Sequence, residues 1–235
     1  MTGADPTVRI AVPPAIDPRS AEEFADAVQR AVADPDKRVI VLGGGNGVFC
    51  KGLNVFTLED RKTSVTALAE ILLSLRRAPI TVISVVDGVA LGGGVGLAAA
   101  SDLVIASEDS SFGLPEALIG LAPAIILPFL LERMRPQEVR LWALSAYARS
   151  AAEAARAGLV DVVVPAADLD RQTTHWVRQL SRAHSDGVGR VKRVTAEAAS
   201  MNLETAVRKG IDLTSQLLND SAVIQRFRDI ASDKT

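Results

Sequence analysis

The segment DGVALGGGVGLAAASDLVIAS, residues 87–107, determines which fold is expected. Its Asp-Gly pair is typical of a tight turn, and three consecutive glycines follow at positions 92–94. The small apolar residues after the glycines predict a short helix over residues 95–100, and the next apolar run predicts a strand over residues 103–106. A glycine-rich turn that leads into a helix and then into a buried strand is typical of an α/β protein.

Outward from this segment, the amino-terminal half alternates strands with helices, whereas the carboxy-terminal half is mainly helical. Ser20 and Glu23 have the spacing of a capping box, which predicts the start of the first helix. Strands are also predicted over residues 8–12, 38–42, 80–86 and 160–164, and helices over residues 20–33, 63–77, 123–133, 136–145, 151–157, 168–183, 203–218 and 222–230. We therefore predict one domain over residues 1–235, with an α/β core at 1–165 and a helical oligomerisation region at 166–235.

Composition excludes several classes of protein. The chain has 235 residues, of which 48% are hydrophobic and 23% charged, and its net charge is -2. This balance predicts a globular protein without wholesale nucleic-acid binding. The single cysteine excludes an intramolecular disulfide and, with no signal-peptide pattern or membrane-spanning run, predicts a cytoplasmic protein that binds no membrane.

Nucleotide, metal and hydrolase sites are poorly supported by the motifs. Both glycine clusters lack the last glycine of the dinucleotide fingerprint, because Val48 and Leu97 stand in its place. His175 and His184 have no partner at ligand spacing, so solvated side chains are the better interpretation. Cys50 has no histidine nearby in the sequence, which favours a small buried thiol over a nucleophile.

Two backbone turns and a carboxylate remain as candidate chemistry. The turns lie at residues 49–53 and 91–94, the second at the start of a predicted helix. A glycine-rich turn at a helix start leaves N–H groups unpaired, and two converging N–H groups would hold an oxygen that becomes negative. The same glycines also suit tight turns and close packing, so the residues alone leave both interpretations open.

Four strings in order and at this spacing identify a family. FCKGLN at residues 49–54, the segment at 87–107, FGLPEALIGLAP at 112–123 and GLVDVVV at 158–164 resemble the enoyl-CoA hydratase/isomerase (crotonase) superfamily. The resemblance covers roughly residues 36–170. It implies a spiral of strand–strand–helix (ββα) repeats, and carboxy-terminal helices that assemble homotrimers, often paired into hexamers.

The resemblance also implies a site. The backbone N–H groups of Leu53 and Gly93 would form an oxyanion hole for the thioester oxygen. The adjoining glycines, Gly52, Gly92 and Gly94, would line the substrate site. The acyl group would be carried by coenzyme A or by the phosphopantetheine arm of an acyl carrier protein, with no other cofactor.

Only one of the two glutamates that hydratases of this family use is present. Gly96 occupies the first position, and Glu116 occupies the second. Its apolar neighbours would raise the pKa of Glu116 and suit it to proton transfer. The alternative is an exposed glutamate that the dipole of a helix start stabilises.

Three cations flank the first turn. Lys51, Arg61 and Lys62 could bind the phosphates of the thioester carrier or a distal substrate carboxylate, although solvated charges need no such role. The string after Glu116 resembles the dehydratases of polyketide β-branching, particularly that of 3-hydroxy-3-methylglutaryl-carrier protein. The resemblance thus implies a lyase, with a 3-enoyl-CoA to 2-enoyl-CoA isomerase, a non-catalytic acyl-thioester-binding subunit and a thioester hydrolase as alternatives.

Overall fold

Two sheets organise the part of the chain that precedes the last helices. The computed structural model describes residues 5–54 and 61–232. The strands are β1 (Thr7–Ala11), β2 (Val39–Gly43), β3 (Val48–Cys50), β4 (Thr81–Val86), β5 (Val89–Leu91), β6 (Leu103–Ser107), β7 (Ser111–Gly113), β8 (Arg149–Ser150) and β9 (Val162–Val164). One sheet is parallel in the order β1-β2-β4-β6-β9, and the other has the order β3-β5-β7-β8 with only β8 antiparallel to its neighbour.

Helices follow the strands in a repeating order. They are α1 (Pro18–Ala33), α2 (Arg61–Arg77), α3 (Gly93–Ala100), α4 (Leu127–Arg133), α5 (Pro136–Ser145), α6 (Ala151–Ala157), α7 (Leu169–Leu180), α8 (Ser185–Ala199), α9 (Leu203–Leu218) and α10 (Ser221–Ser232), with 3-10 turns at Pro115–Ile119 and Ala166–Asp168. In β2-β3-α2 and in β4-β5-α3, one strand joins the larger sheet, the next joins the smaller sheet, and a helix follows. The predicted ββα spiral is therefore confirmed.

The central strands of the larger sheet are buried on both faces. Ile40 and Leu42 of β2 face the main core, while Val39 and Val41 face a second cluster under α7. Near-continuous apolar runs of this kind are what a parallel sheet needs when both of its faces are covered. The sheet therefore holds the carboxyl ends of its strands, and the turns that follow them, in fixed places.

The start of α1 differs from the prediction. The capping box is formed by Asp17 and Ser20, not by Ser20 and Glu23. The Asp17 carboxylate accepts a hydrogen bond from the Ser20 N–H at 2.8 Å, and the Asp17 N–H donates to Ser20 Oγ at 2.9 Å. Pro18 explains the difference, because its fixed φ favours the first helical position and makes Asp17, the residue before it, the cap.

Other element predictions have mixed outcomes. The bounds of α5, α6 and α9 are those predicted, whereas the helix predicted over residues 123–133 begins only at Leu127. Helix α8 and the short strands of the smaller sheet were not predicted. Backbone contacts define two compact units, Met1–Gly189 and Arg190–Thr235. In the described residues, every helix is too short or too polar to cross a membrane.

Candidate active site

The two predicted turns meet backbone to backbone. Gly52, which follows β3, has a φ of +77°, a conformation that side chains rarely adopt. A Cβ atom on Gly52 would lie 2.6 Å from the nitrogen of Gly93, and a Cβ atom on Gly93 would lie 3.2 Å from the Cα of Gly52. Position 52 requires glycine, since any side chain there would separate the turns, and position 93 leaves little space for a side chain.

Two N–H groups at this junction are open donors. Leu53 lies opposite Ile16 in a parallel bridge, in which Ile16 donates to the Gly52 carbonyl at 2.7 Å and accepts from the Asn54 N–H at 2.9 Å. Because the backbone alternates, the Leu53 N–H faces away from Ile16. Gly93 is the first residue of α3, where N–H groups have no partner within the helix. Within the described residues, neither of these two N–H groups donates a hydrogen bond.

The end of β3 packs tightly against the first turn of α3. A Cβ atom on Gly94 would overlap the Cys50 carbonyl, so Gly94 allows the two elements to touch. The Cys50 thiol is fully buried, and this burial raises its pKa to about 11. A thiol that stays protonated is a poor nucleophile, which supports its interpretation as a buried packing residue.

Glu116 lies beside the same helix start. It sits in the 3-10 turn after β7, which Pro115 begins and the left-handed Gly120 ends. A Cβ atom on Gly92 would lie 2.8 Å from Glu116 Oε1, so the carboxylate touches the backbone where α3 begins. The absence of a side chain on Gly92, which has a φ of +48°, leaves this space to the carboxylate.

The Glu116 side chain is half-buried. Its Oε2 atom is buried and has no hydrogen-bond partner in the described part of the chain. Burial raises the pKa of Glu116 above its ordinary value, and a hydrogen bond from the backbone partly offsets this effect. A carboxylate with one unpaired oxygen atom and a raised pKa is suited to accept a proton from a bound molecule.

The structure describes the side chains of two of the three predicted cations. Lys51 lies in the turn at residues 49–53 with an exposed side chain, and Lys62 is exposed in the first turn of α2. Neither lysine side chain forms a hydrogen bond or ion pair with a described residue. The side chain of Arg61 lies outside the described residues. The cluster thus consists of the glycines, Leu53 and Glu116, and the roles of the cations stay predictions.

Sequence reasoning missed the apolar residues that shape the cluster. A Cβ atom on Gly93 would lie 3.0 Å from Leu68 Cδ2 of α2, and one on Gly96 would meet Leu72 and Ile126. No sequence signal distinguishes Leu68, Leu72 and Ile126 from other core residues. The two leucines fit the apolar pattern of α2, and Ile126 belongs to the apolar run that leads into α4.

Comparison with known proteins decides the family. The family model described as enoyl-CoA hydratase/isomerase matches residues 8–227. The chain belongs to the enoyl-CoA hydratase/isomerase family. It is 30% identical over 197 residues to the bacillaene synthase dehydratase PksH of Bacillus subtilis, across 80% of this chain and 75% of that protein.

One further relative agrees with this family assignment, and one solved structure agrees with the fold. The carnitinyl-CoA dehydratase of Proteus mirabilis is 29% identical over 203 residues, which cover 81% of this chain and 75% of that enzyme. The crystal structure of an enoyl-CoA hydratase from Bacillus anthracis superposes with a TM-score of 0.88 and 20% identity, over 99% of this chain and 95% of that one. The fold prediction is confirmed, and names of relatives in the family indicate an enzyme of the hydratase or dehydratase type.

Proposed function

We propose that this member of the enoyl-CoA hydratase/isomerase family dehydrates a 3-hydroxyacyl thioester, of the 3-hydroxy-3-methylglutaryl kind, in polyketide biosynthesis. The observation that carries the proposal is the single carboxylate of Glu116 against the start of α3, beside two open backbone donors. Similarity to the bacillaene synthase dehydratase PksH supports dehydration as the reaction, and the acyl group is part of the proposal.

The reaction follows from this geometry. The thioester oxygen accepts hydrogen bonds from the Leu53 and Gly93 N–H groups, and the positive end of the α3 dipole adds to their effect. Glu116 removes the proton on the α-carbon, so the C–H electron pair becomes the enolate. The enolate then forms the new carbon–carbon double bond as the β-hydroxyl group departs. Glu116 returns its proton to that hydroxyl, which leaves as water.

The carrier is coenzyme A or the phosphopantetheine arm of a carrier protein. In this proposal Lys51, Arg61 and Lys62 bind its phosphates or a distal carboxylate of the substrate, which the exposure of the two lysines permits. No further cofactor enters, since the elimination of water transfers no electrons to an acceptor.

Assembly into trimers or hexamers is part of the same proposal. Within the unit Arg190–Thr235, large apolar side chains of α9 and α10 are exposed, notably Leu203, Val207, Ile211 and Phe227. Leu203, Val207 and Ile211 are four residues apart and so share one face of α9, and an exposed apolar face supports contact with another copy of the chain. Residence in the cytoplasm stays a prediction.

Catalysis should depend on pH through Glu116. A base must be ionised, so kcat/KM is expected to fall with decreasing pH through a pKa above the usual glutamate range. A group whose pKa is raised by folding stabilises the folded state at low pH, so its protonation does not itself unfold the protein. A pH–rate profile, with circular dichroism at each pH, measures this. An acid limb at the ordinary glutamate pKa would contradict the assignment.

The direct test is mass spectrometry of defined thioesters incubated with the protein. We expect loss of water from 3-hydroxy-3-methylglutaryl thioester, carried either on coenzyme A or on carrier protein. An intact hydroxyacyl thioester together with a shifted double bond in a 3-enoyl-CoA would favour the isomerase. Binding without any conversion would favour a non-catalytic subunit.

A further inference from the structure

Gly92 caps the start of α3, and Gly96 lies in the first turn of that helix. The Gly96 N–H donates to the Gly92 carbonyl at 3.1 Å, so the two residues lie one helical turn apart. Residues four apart share a helix face, and each Cα–Cβ bond tilts towards the amino terminus. A side chain at position 96 would therefore point back towards the end of α3 that Glu116 contacts.

Ile126 fills the space that such a side chain would need. Its Cγ2 atom lies where a Cβ atom on Gly96 would clash, and its own Cβ atom is 3.1 Å from that point. Leu72 Cδ1 closes the same space from α2 at 3.3 Å. Both residues are buried, Ile126 with an exposed fraction of 3%. Ile126 and Leu72 thus fill the space beside Gly96, one helical turn from the place where Glu116 contacts Gly92.

We propose that Ile126 excludes a second carboxylate from the space above Gly96 and so keeps the site dependent on Glu116 alone. This inference rests on the proposed function. With two carboxylates, one takes a proton from water as its oxygen bonds to the β-carbon, and the other donates a proton to the α-carbon. With one carboxylate, both transfers fall to the same group, so a second carboxylate at position 96 should speed the hydration of a 2-enoyl thioester.

Four variants separate the roles of the two positions. Gly96→Glu introduces a carboxylate against Ile126, and Gly96→Glu with Ile126→Ala removes the Cγ2 atom that makes the closest contact. Gly96→Glu with Ile126→Val is the matched control, since valine keeps a methyl group at the Cγ2 position. Ile126→Ala alone measures the cost of the cavity. Each variant is tested for melting temperature and for hydration of an unbranched 2-enoyl-CoA, followed by the absorbance of the enoyl thioester.

We expect Gly96→Glu to lower the melting temperature by about 5 °C or more, as overpacking does, and Ile126→Ala to restore most of that loss. Hydration by the Gly96→Glu, Ile126→Ala variant should exceed that of the unmodified protein and of Ile126→Ala by about tenfold or more. The valine control should gain neither stability nor activity.

Equal behaviour of the valine and alanine combinations would overturn the inference. So would a stable Gly96→Glu, Ile126→Ala protein that hydrates no faster than Ile126→Ala. If Gly96→Glu does not fold, Gly96→Ala with and without Ile126→Ala tests the exclusion itself, because alanine places its Cβ atom at the same clash. A Gly96→Ala protein as stable as the unmodified protein would overturn the inference. Melting temperatures require no turnover. The coupling between positions 96 and 126 is therefore tested separately from the dehydration assay on the unmodified protein.

Discussion

Replacing Glu116 by glutamine is expected to lower the rate of dehydration by about a hundredfold or more, as the loss of a general base does. Glutamine has nearly the same shape, so the contact with Gly92 is kept while the ability to accept a proton is lost. The carboxylate is buried at Oε2 and has a raised pKa, which suits it to this proton transfer. Initial rates on a 3-hydroxy-3-methylglutaryl thioester measure the effect.

Glu108→Gln is the matched control for this experiment. Glu108 is exposed in the connection between β6 and β7, so the same chemical change there should leave the rate within about twofold of the original. Melting temperatures of both variants should stay close to that of the unmodified protein. Unchanged turnover in a folded Glu116→Gln protein would refute the role of Glu116 as the base.

Gly52→Ala is expected to lower turnover by about a hundredfold, the effect of losing one donor of an oxyanion hole. The added Cβ atom would lie 2.6 Å from the Gly93 nitrogen, so the two turns must separate and the Leu53 and Gly93 N–H groups can no longer converge. The left-handed φ of +77° adds strain of about 1 kcal/mol for a residue other than glycine. Turnover and melting temperature should both fall.

Gly47→Ala separates strain from contact. Gly47 has a φ of +72°, but nothing lies within 4 Å of the Cβ atom that alanine would add. The variant therefore carries the same backbone strain without displacing the Gly93 turn. It should lose stability comparable to the strain alone and keep most of its turnover. If both variants lose activity equally, the close approach of Gly52 to Gly93 is not what positions the donors.

Much of the fold was predictable because its signals are local. The glycine run before α3 and the apolar runs of β2 and β4 each identify an element within a few residues. The capping box was assigned to the wrong pair since Ser20 and Glu23 also fit its pattern, and only the geometry shows that Pro18 begins the helix. Helix α8 is not predicted by the sequence, because Gly187 and Gly189 interrupt a polar stretch in which apolar residues have no clear helical spacing.

The cluster at the start of α3 was only partly predictable. Gly52, Gly93 and Glu116 stand in motifs, so a resemblance to a family points to them, although their chemical roles stay predictions. The fit between Gly96 and Ile126 is different, because the two residues are distant in the chain and meet only through the fold. A methyl group that fills the space of an absent side chain has no signature in a single sequence.

The burial of Cys50 gives the chain an internal reporter. Cys50 is the only cysteine, and its thiol has a pKa of about 11 where β3 meets α3. An alkylating reagent reacts with the thiolate, so it reaches this residue only when the junction opens. The rate at which Cys50 is labelled therefore reports how often the turn that carries Leu53 opens. We expect a thioester bound between the two turns to lower this labelling rate, which gives a measure of binding that needs no turnover.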